Sequence, residues 1–71
     1  MTEMVPVISS NIESIGYDHE KEELHIKFKG GKTYMYKKVP ISLYEELISA
    51  ASIGKFFAAN IRDHFNWEIL L

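Results

Sequence analysis

Five lysines, Lys27, Lys29, Lys32, Lys37 and Lys38, fall within residues 24–39, a stretch without one acid. Tyr34 and Tyr36 sit in its middle. Ammonium groups meet phosphate oxygens and aromatic rings stack on bases, so this mixture suits a nucleic acid. Downstream, Ser52-Ile53-Gly54-Lys55 reads as a helix mouth. Free N–H groups and partial positive charge at such a mouth attract phosphate. Gly54 permits close backbone approach, Lys55 adds charge, and Asn60 and Arg62 follow one or two turns later. The candidate binding set for nucleic acid or a nucleotide is Lys27, Lys37, Lys38, Tyr34, Tyr36, Ser52, Gly54, Lys55, Asn60 and Arg62. Each also has a plainer reading. A solvated lysine hairpin discourages edge-to-edge strand pairing, and Ser52 with Gly54 is an ordinary cap and helix junction.

Catalytic and metal chemistry find less support. His19, His25 and His64 lie far apart, and no Asp/Glu–His pair has ligand spacing. No G-x-S-x-G elbow, P-loop or dinucleotide fingerprint occurs. Without cysteine there is no thiolate zinc site, disulfide scaffold or thiol nucleophile. The expectation is a non-enzyme with neither metal nor cofactor. The net charge of −2 argues against a strong non-specific polyanion binder, so the lysine ribbon is a local feature.

These groups must be positioned by a small scaffold. Residues 1–6 read as a loose leader. A strand over about 11–18 has apolar residues at Ile12, Ile15 and Tyr17, which breaks alternation and predicts a bulge that Gly16 permits. Asp18 to Lys21 form a turn. Leu24, Ile26 and Phe28 alternate with His25, Lys27 and Lys29 in a half-buried strand. Gly30-Gly31 closes a hairpin, and Lys32 to Val39 returns as a third strand until Pro40. Ser42 with Glu45 forms a capping box, predicting a helix from near Leu43. Ser52 caps a second helix carrying Phe56, Phe57, Asn60, Ile61 and His64. The tail from Phe65 to Leu71 is either a short last strand or a hydrophobic tail docked on a neighbour, with Trp67 as a packing anchor. The fold class is α+β: an antiparallel meander of about three strands, then two short helices, with a short C-terminal strand as an option.

The hairpin register decides where the tyrosines go. A two-residue Gly30-Gly31 loop pairs Lys27 with Tyr34 and His25 with Tyr36, displaying both rings among lysines on an open face. A three-residue loop, Lys29-Gly30-Gly31 with Gly31 in a bulge, pairs Ile26 with Tyr34 and Leu24 with Tyr36. Both tyrosines then turn inward and Met35 outward. The second register buries more apolar area, which favours it in so short a chain.

The ordered features Ser10-Asn11-Ile12, Ile15-Gly16-Tyr17-Asp18, the Leu-x-Ile-x-Phe strand, Gly-Gly, Tyr34-Met35-Tyr36, Val39-Pro40, Leu43-Tyr44, Ala51-Ser52-x-Gly54-Lys55-Phe56-Phe57 and Ile61-Arg62 resemble the KTSC domain. That module stands alone or follows the C-terminus of some lysyl-tRNA synthetases. The likeness covers roughly residues 8–65. It implies a small α+β fold and, from the synthetase setting, RNA as a ligand, with Tyr34, Tyr36, Ser52 and Gly54 on the family's motif positions. One departure is Ala58, where family members often carry Asn directly after the second aromatic. Asn60 is the nearest substitute.

Length and composition fit this reading. Seventy-one residues hold one domain, taken as 1–71 with a core over about 8–65 and a hydrophobic tail at 66–71. Apolar residues are 46% of the chain, so it can fold. Such a core leaves about 3–5 kcal/mol of net stability, and self-association would bury more surface. The first residues lack the pattern of a secretory signal and no apolar run reaches a membrane span, so the expectation is a cytoplasmic protein with no membrane partner. Three functions follow: a binding module for RNA or another nucleic acid; an oligomeric binder holding a nucleotide-type ligand at subunit junctions; or a protein-interaction module forming a homodimer or higher oligomer through the strand edge or tail.

Overall fold

The computed structural model describes residues 3–70. Among them, five strands form one antiparallel sheet in chain order: β1 (Met4–Pro6), β2 (Ile12–Asp18), β3 (Glu23–Phe28), β4 (Thr33–Tyr36) and β5 (Trp67–Leu70). Two helices, α1 (Ile41–Ser49) and α2 (Ile53–Asn60), lie between β4 and β5. The α+β class therefore holds, with one strand more at each end of the meander. Met4–Pro6 of the expected leader pairs with β2, Val5 opposite Ile15. Met1 and Thr2 of that leader, and Leu71 of the tail, lie outside the described residues. The tail forms the edge strand β5, the first of its two alternatives, with Trp67 opposite Tyr36.

The bulge in β2 falls at Glu13, between Ile12 opposite Phe28 and Ser14 opposite Lys27, and not at Gly16. One extra residue there lets Ile12, Ile15 and Tyr17 share a face despite their uneven spacing. The turn after β2 is fixed by the Asp18 carboxylate, which accepts from the backbone N–H of Glu20 (3.0 Å) and Lys21 (3.2 Å). Such an Asx turn is a favoured use of Asp at a chain reversal.

The β3–β4 hairpin has the three-residue loop. Leu24 pairs with Tyr36 and Ile26 with Tyr34. Phe28 N–H donates to Lys32 (2.9 Å), Gly31 N–H donates to Phe28 (2.9 Å), and Gly31 has φ +100°. Only glycine adopts that φ without strain, so Gly31 sets the register and, through it, the face of every side chain in β4.

Helix α1 begins earlier than the Ser42–Glu45 box predicts. Pro40 is its N-cap, and no side chain caps it. Proline has its φ already set near the value needed, and the Pro40 carbonyl accepts from the N–H of Leu43 and Tyr44. Helix α2 starts as expected: Ser52 Oγ accepts from the Lys55 N–H at 3.4 Å. It closes at Asn60, so His64 lies in the turn beyond it.

Both helices cover one face of the sheet. Ile15, Leu24, Ile26 and Tyr36 from the strands pack with Leu47, Phe57 and Ile61 in a single buried cluster. Val39 closes it, its carbonyl taking the Tyr17 hydroxyl. The other face carries Met4, Gly16, His25, Met35 and Glu68 in one cross-strand row. Met35 points to this side as expected, yet only 8% of it is exposed.

Candidate functional site

The core face of the hairpin runs out past the edge of α2 and leaves a groove of about 590 Å³. Its floor is aromatic. Register puts Phe28, Tyr34 and Tyr36 on the helix side of the sheet, and Trp67 joins them because β5 pairs with β4. The rings of Tyr34 and Tyr36 lie 6.4 Å apart and nearly parallel. Trp67 tilts over Tyr34 at 5.1 Å, and Phe57 meets Tyr36 edge-on at 5.3 Å. Trp67 is 50% exposed, so it walls the groove instead of anchoring the core. The polar rim consists of Asn11, Lys32, Arg62 and Asp63.

Tyr36 is buried, and its hydroxyl is pushed up to about 12, first by desolvation and then by neighbouring Tyr34, against a smaller opposing pull from Arg62. The phenol therefore stays neutral across ordinary pH. A general base works best near the operating pH, and this hydroxyl is held well above it. The other titratable side chains lining the groove are Lys32, Tyr34, Arg62 and Asp63, and Arg62 Nε lies 3.7 Å from Asp63 Oδ2. This set supplies stacking surface, donors and charge, but not a nucleophile oriented by a base.

A second hollow of about 440 Å³ opens beside the first, at the start of α2. Asn11, Gly54 and Ala58 line both, so the two meet over the N-terminal half of α2. Gly54 is closely approached: a Cβ there would stand 2.9 Å from Asn11 Oδ1, the end of an exposed side chain that would have to shift, and 3.4 Å from Ser9 Oγ.

The structure distributes the sequence candidates unevenly. Tyr34, Tyr36, Gly54 and Arg62 come together in the groove, and Ser52, Gly54 and Lys55 in the adjoining hollow. Lys27 is on the opposite face of the sheet, 3.2 Å from Glu13, beside Met4, His25 and Thr33. Lys37 is held 3.1 Å from Glu68. Lys38 stands exposed at φ +59° after β4, and Asn60 is spent on the Phe56 carbonyl of its own helix. The lysine ribbon is thus not one continuous surface. Residues absent from the candidate set include Asn11, Lys32, Phe28, Phe57, Asp63 and Trp67. Lys32 was visible as part of the cluster, and Asn11 as a polar residue just before β2. Nothing local marks Trp67, because its place depends on pairing with β4.

Residues 8–65 match the KTSC domain family. The crystal structure of a KTSC domain protein from Yersinia pestis superposes with a TM-score of 0.94 at 38% identity, covering 100% of both chains. A protein of Tsukamurella paurometabola is 40% identical over 62 residues, 87% of this chain and 92% of that one. A lysine–tRNA ligase of Nostoc sp. is 36% identical over 61 residues, 86% of this chain and 11% of the ligase. This chain belongs to the KTSC domain family, whose members include both small stand-alone proteins and a region of a much larger tRNA ligase. No helix among the described residues is long and apolar enough to cross a membrane.

Proposed function

We propose that this chain is a non-enzymatic binding module that takes nucleotide units of single-stranded RNA into the aromatic groove. The observation that carries this reading is the half-exposed Trp67 ring continuing the stack of half-buried Tyr34 on buried Tyr36, with Lys32 and Arg62 on the rim. An exposed indole in a free domain keeps apolar area in water that a stacked base would cover, and every base has a face for it. Single-stranded RNA is recognised in this manner, by splayed bases on aromatic side chains and phosphates on cations. A groove of about 590 Å³ is in the size range of small-ligand pockets and so takes one or two units, not a duplex. The ligase relative, which has tRNA in its name, supports RNA as the source.

A second source of the same chemistry is a free nucleotide, favoured by the small volume of the groove and by only two cations, Lys32 and Arg62, among the residues lining it. Trp67 is the chain's one tryptophan, so its emission reports the groove directly. Titration with a single-stranded RNA nine-mer at low salt should quench it, and Trp67→Phe combined with Arg62→Glu should weaken binding measured by anisotropy of labelled RNA. Two phosphate contacts predict a slope of log K against log salt of about −1.4. Lys27→Glu, on the other face, should change affinity little. A mononucleotide binding as tightly as the RNA would identify the free nucleotide as the ligand. No change in emission or anisotropy with either ligand would refute the proposal.

A further inference from the structure

The polar group best fixed at the groove is Asn11, and its geometry has a directional consequence. A carboxamide offers two acceptor positions on oxygen and two N–H donors on nitrogen. Here one acceptor position on the oxygen is taken by a hydrogen bond and the oxygen is packed at Gly54. Ser9 Oγ–H donates to Asn11 Oδ1 at 3.1 Å, while the Ser9 oxygen itself accepts from the Ile12 backbone N–H at 3.4 Å. The second side of Oδ1 rests against Gly54, where an added Cβ would lie 2.9 Å from Oδ1 and 3.8 Å from Cγ. Oxygen turned toward the helix puts nitrogen on the side away from it. Asn11 is exposed and borders both hollows. The amide therefore shows a ligand its N–H donors and withholds its acceptor.

We propose that Asn11, oriented by Ser9 and seated on Gly54, is a donor-only selectivity group that makes the groove prefer a base bearing carbonyl oxygens, uracil above all, over adenine. This rests on the nucleotide reading of the groove. The usual pairing of Asn with adenine uses amide oxygen and nitrogen together, one accepting from the exocyclic amine and one donating to the ring. With its oxygen bonded to Ser9 on one side and crowded by Gly54 on the other, Asn11 is poorly placed to make that pair. A uracil carbonyl needs only the donor. The other polar groups on the rim, Lys32 and Arg62, are donors too, with Asp63 as the exception.

The test compares oligouridine with oligoadenosine nine-mers, and UMP with AMP, by quenching of Trp67. One neutral hydrogen bond contributes about 0.5–1.5 kcal/mol, so the wild-type chain should favour uridine about 3- to 10-fold. Asn11→Asp replaces the donor by an acceptor of the same shape and should bring that ratio to about 1 or invert it. Ser9→Ala frees the amide to present either end. It should lower the ratio while leaving the affinity for oligouridine within about 2-fold, since Ser9 acts only through Asn11. Far-UV circular dichroism and a thermal melt check that each variant folds, and Ser9→Ala carries the test should Asn11→Asp not fold. A ratio unchanged in the folded variants overturns the role of Asn11 while leaving the groove reading intact. Absence of any quenching in the wild-type chain by all four ligands removes both.

Discussion

Raising the pH should unfold this domain through Tyr36. The tyrosine is 3% exposed, and its hydroxyl is pushed up to about 12 against an ordinary value of 10.0. In the unfolded chain the phenol loses its proton near pH 10, whereas in the folded chain the proton is held to about 12. Below pH 10 both states are protonated and the full stability is present. Between the two values the unfolded state is the one that ionises, and stability falls by about 1.4 kcal/mol for each pH unit. By pH 12, where the folded phenol is itself half ionised, the loss is about 2 kcal/mol. Net stability of a core this size is about 3–5 kcal/mol, so about half of it should be gone by pH 12. Burial also raises Tyr17, so the wild-type curve alone is not diagnostic. The informative quantity is the difference between wild type and Tyr36→Phe in urea unfolding, followed by Trp67 emission and circular dichroism at half-unit steps from pH 8 to 12. Groups the two proteins share, Tyr17 among them, cancel in that difference. The difference should stay nearly flat to pH 10 and then change by about 2 kcal/mol by pH 12. A difference that stays flat to pH 12 would refute the claim that the hydroxyl is kept neutral by its burial.

Two pairs of substitutions separate local effects that look alike in the sequence. Gly31→Ala forces a Cβ onto φ +100° and should cost about 1–2 kcal/mol in chemical denaturation, whereas Gly30→Ala, with open space around it, should stay within about 0.5 kcal/mol. Equal costs would mean that Gly31 does not set the register. Ser52→Ala removes the acceptor for the Lys55 N–H and should cost about 1 kcal/mol, while Ser42→Ala, inside the first turn of a helix without a side-chain cap, should be nearly neutral. The reverse order would restore the capping box at Ser42 as the start of α1.

Much of the scaffold could be read from short stretches of chain. The alternation of Leu24, Ile26 and Phe28, the Gly30-Gly31 turn and the Ser52 cap each involve residues within a few positions of one another, and each is present in the structure. The choice between the two hairpin registers also followed from a local quantity, the apolar area each one buries. Local reasoning failed where two local signals competed. Ser42 and Glu45 have the spacing of a capping box, yet Pro40 already sets the backbone that begins the helix. Gly16 permits a bulge, yet Glu13 is the residue that satisfies both the pairing with β3 and the burial of Ile12.

The groove was far less accessible. Tyr34, Tyr36, Gly54 and Arg62 were all identified by type, but the lysines that made them look like one cationic ribbon separate onto different surfaces, two of them against carboxylates. Asn11, Phe57 and Trp67 reach the same hollow from three distant parts of the chain. The sequence by itself determined the three central strands and the two helices, because hydrophobic period, turn residues and caps act over a few residues. Only the tertiary structure decided which face of the sheet the helices cover, that β1 and β5 extend it, and that Trp67 stands beside Tyr34. Those outcomes depend on pairing and burial between segments far apart in sequence, where no local pattern carries the information.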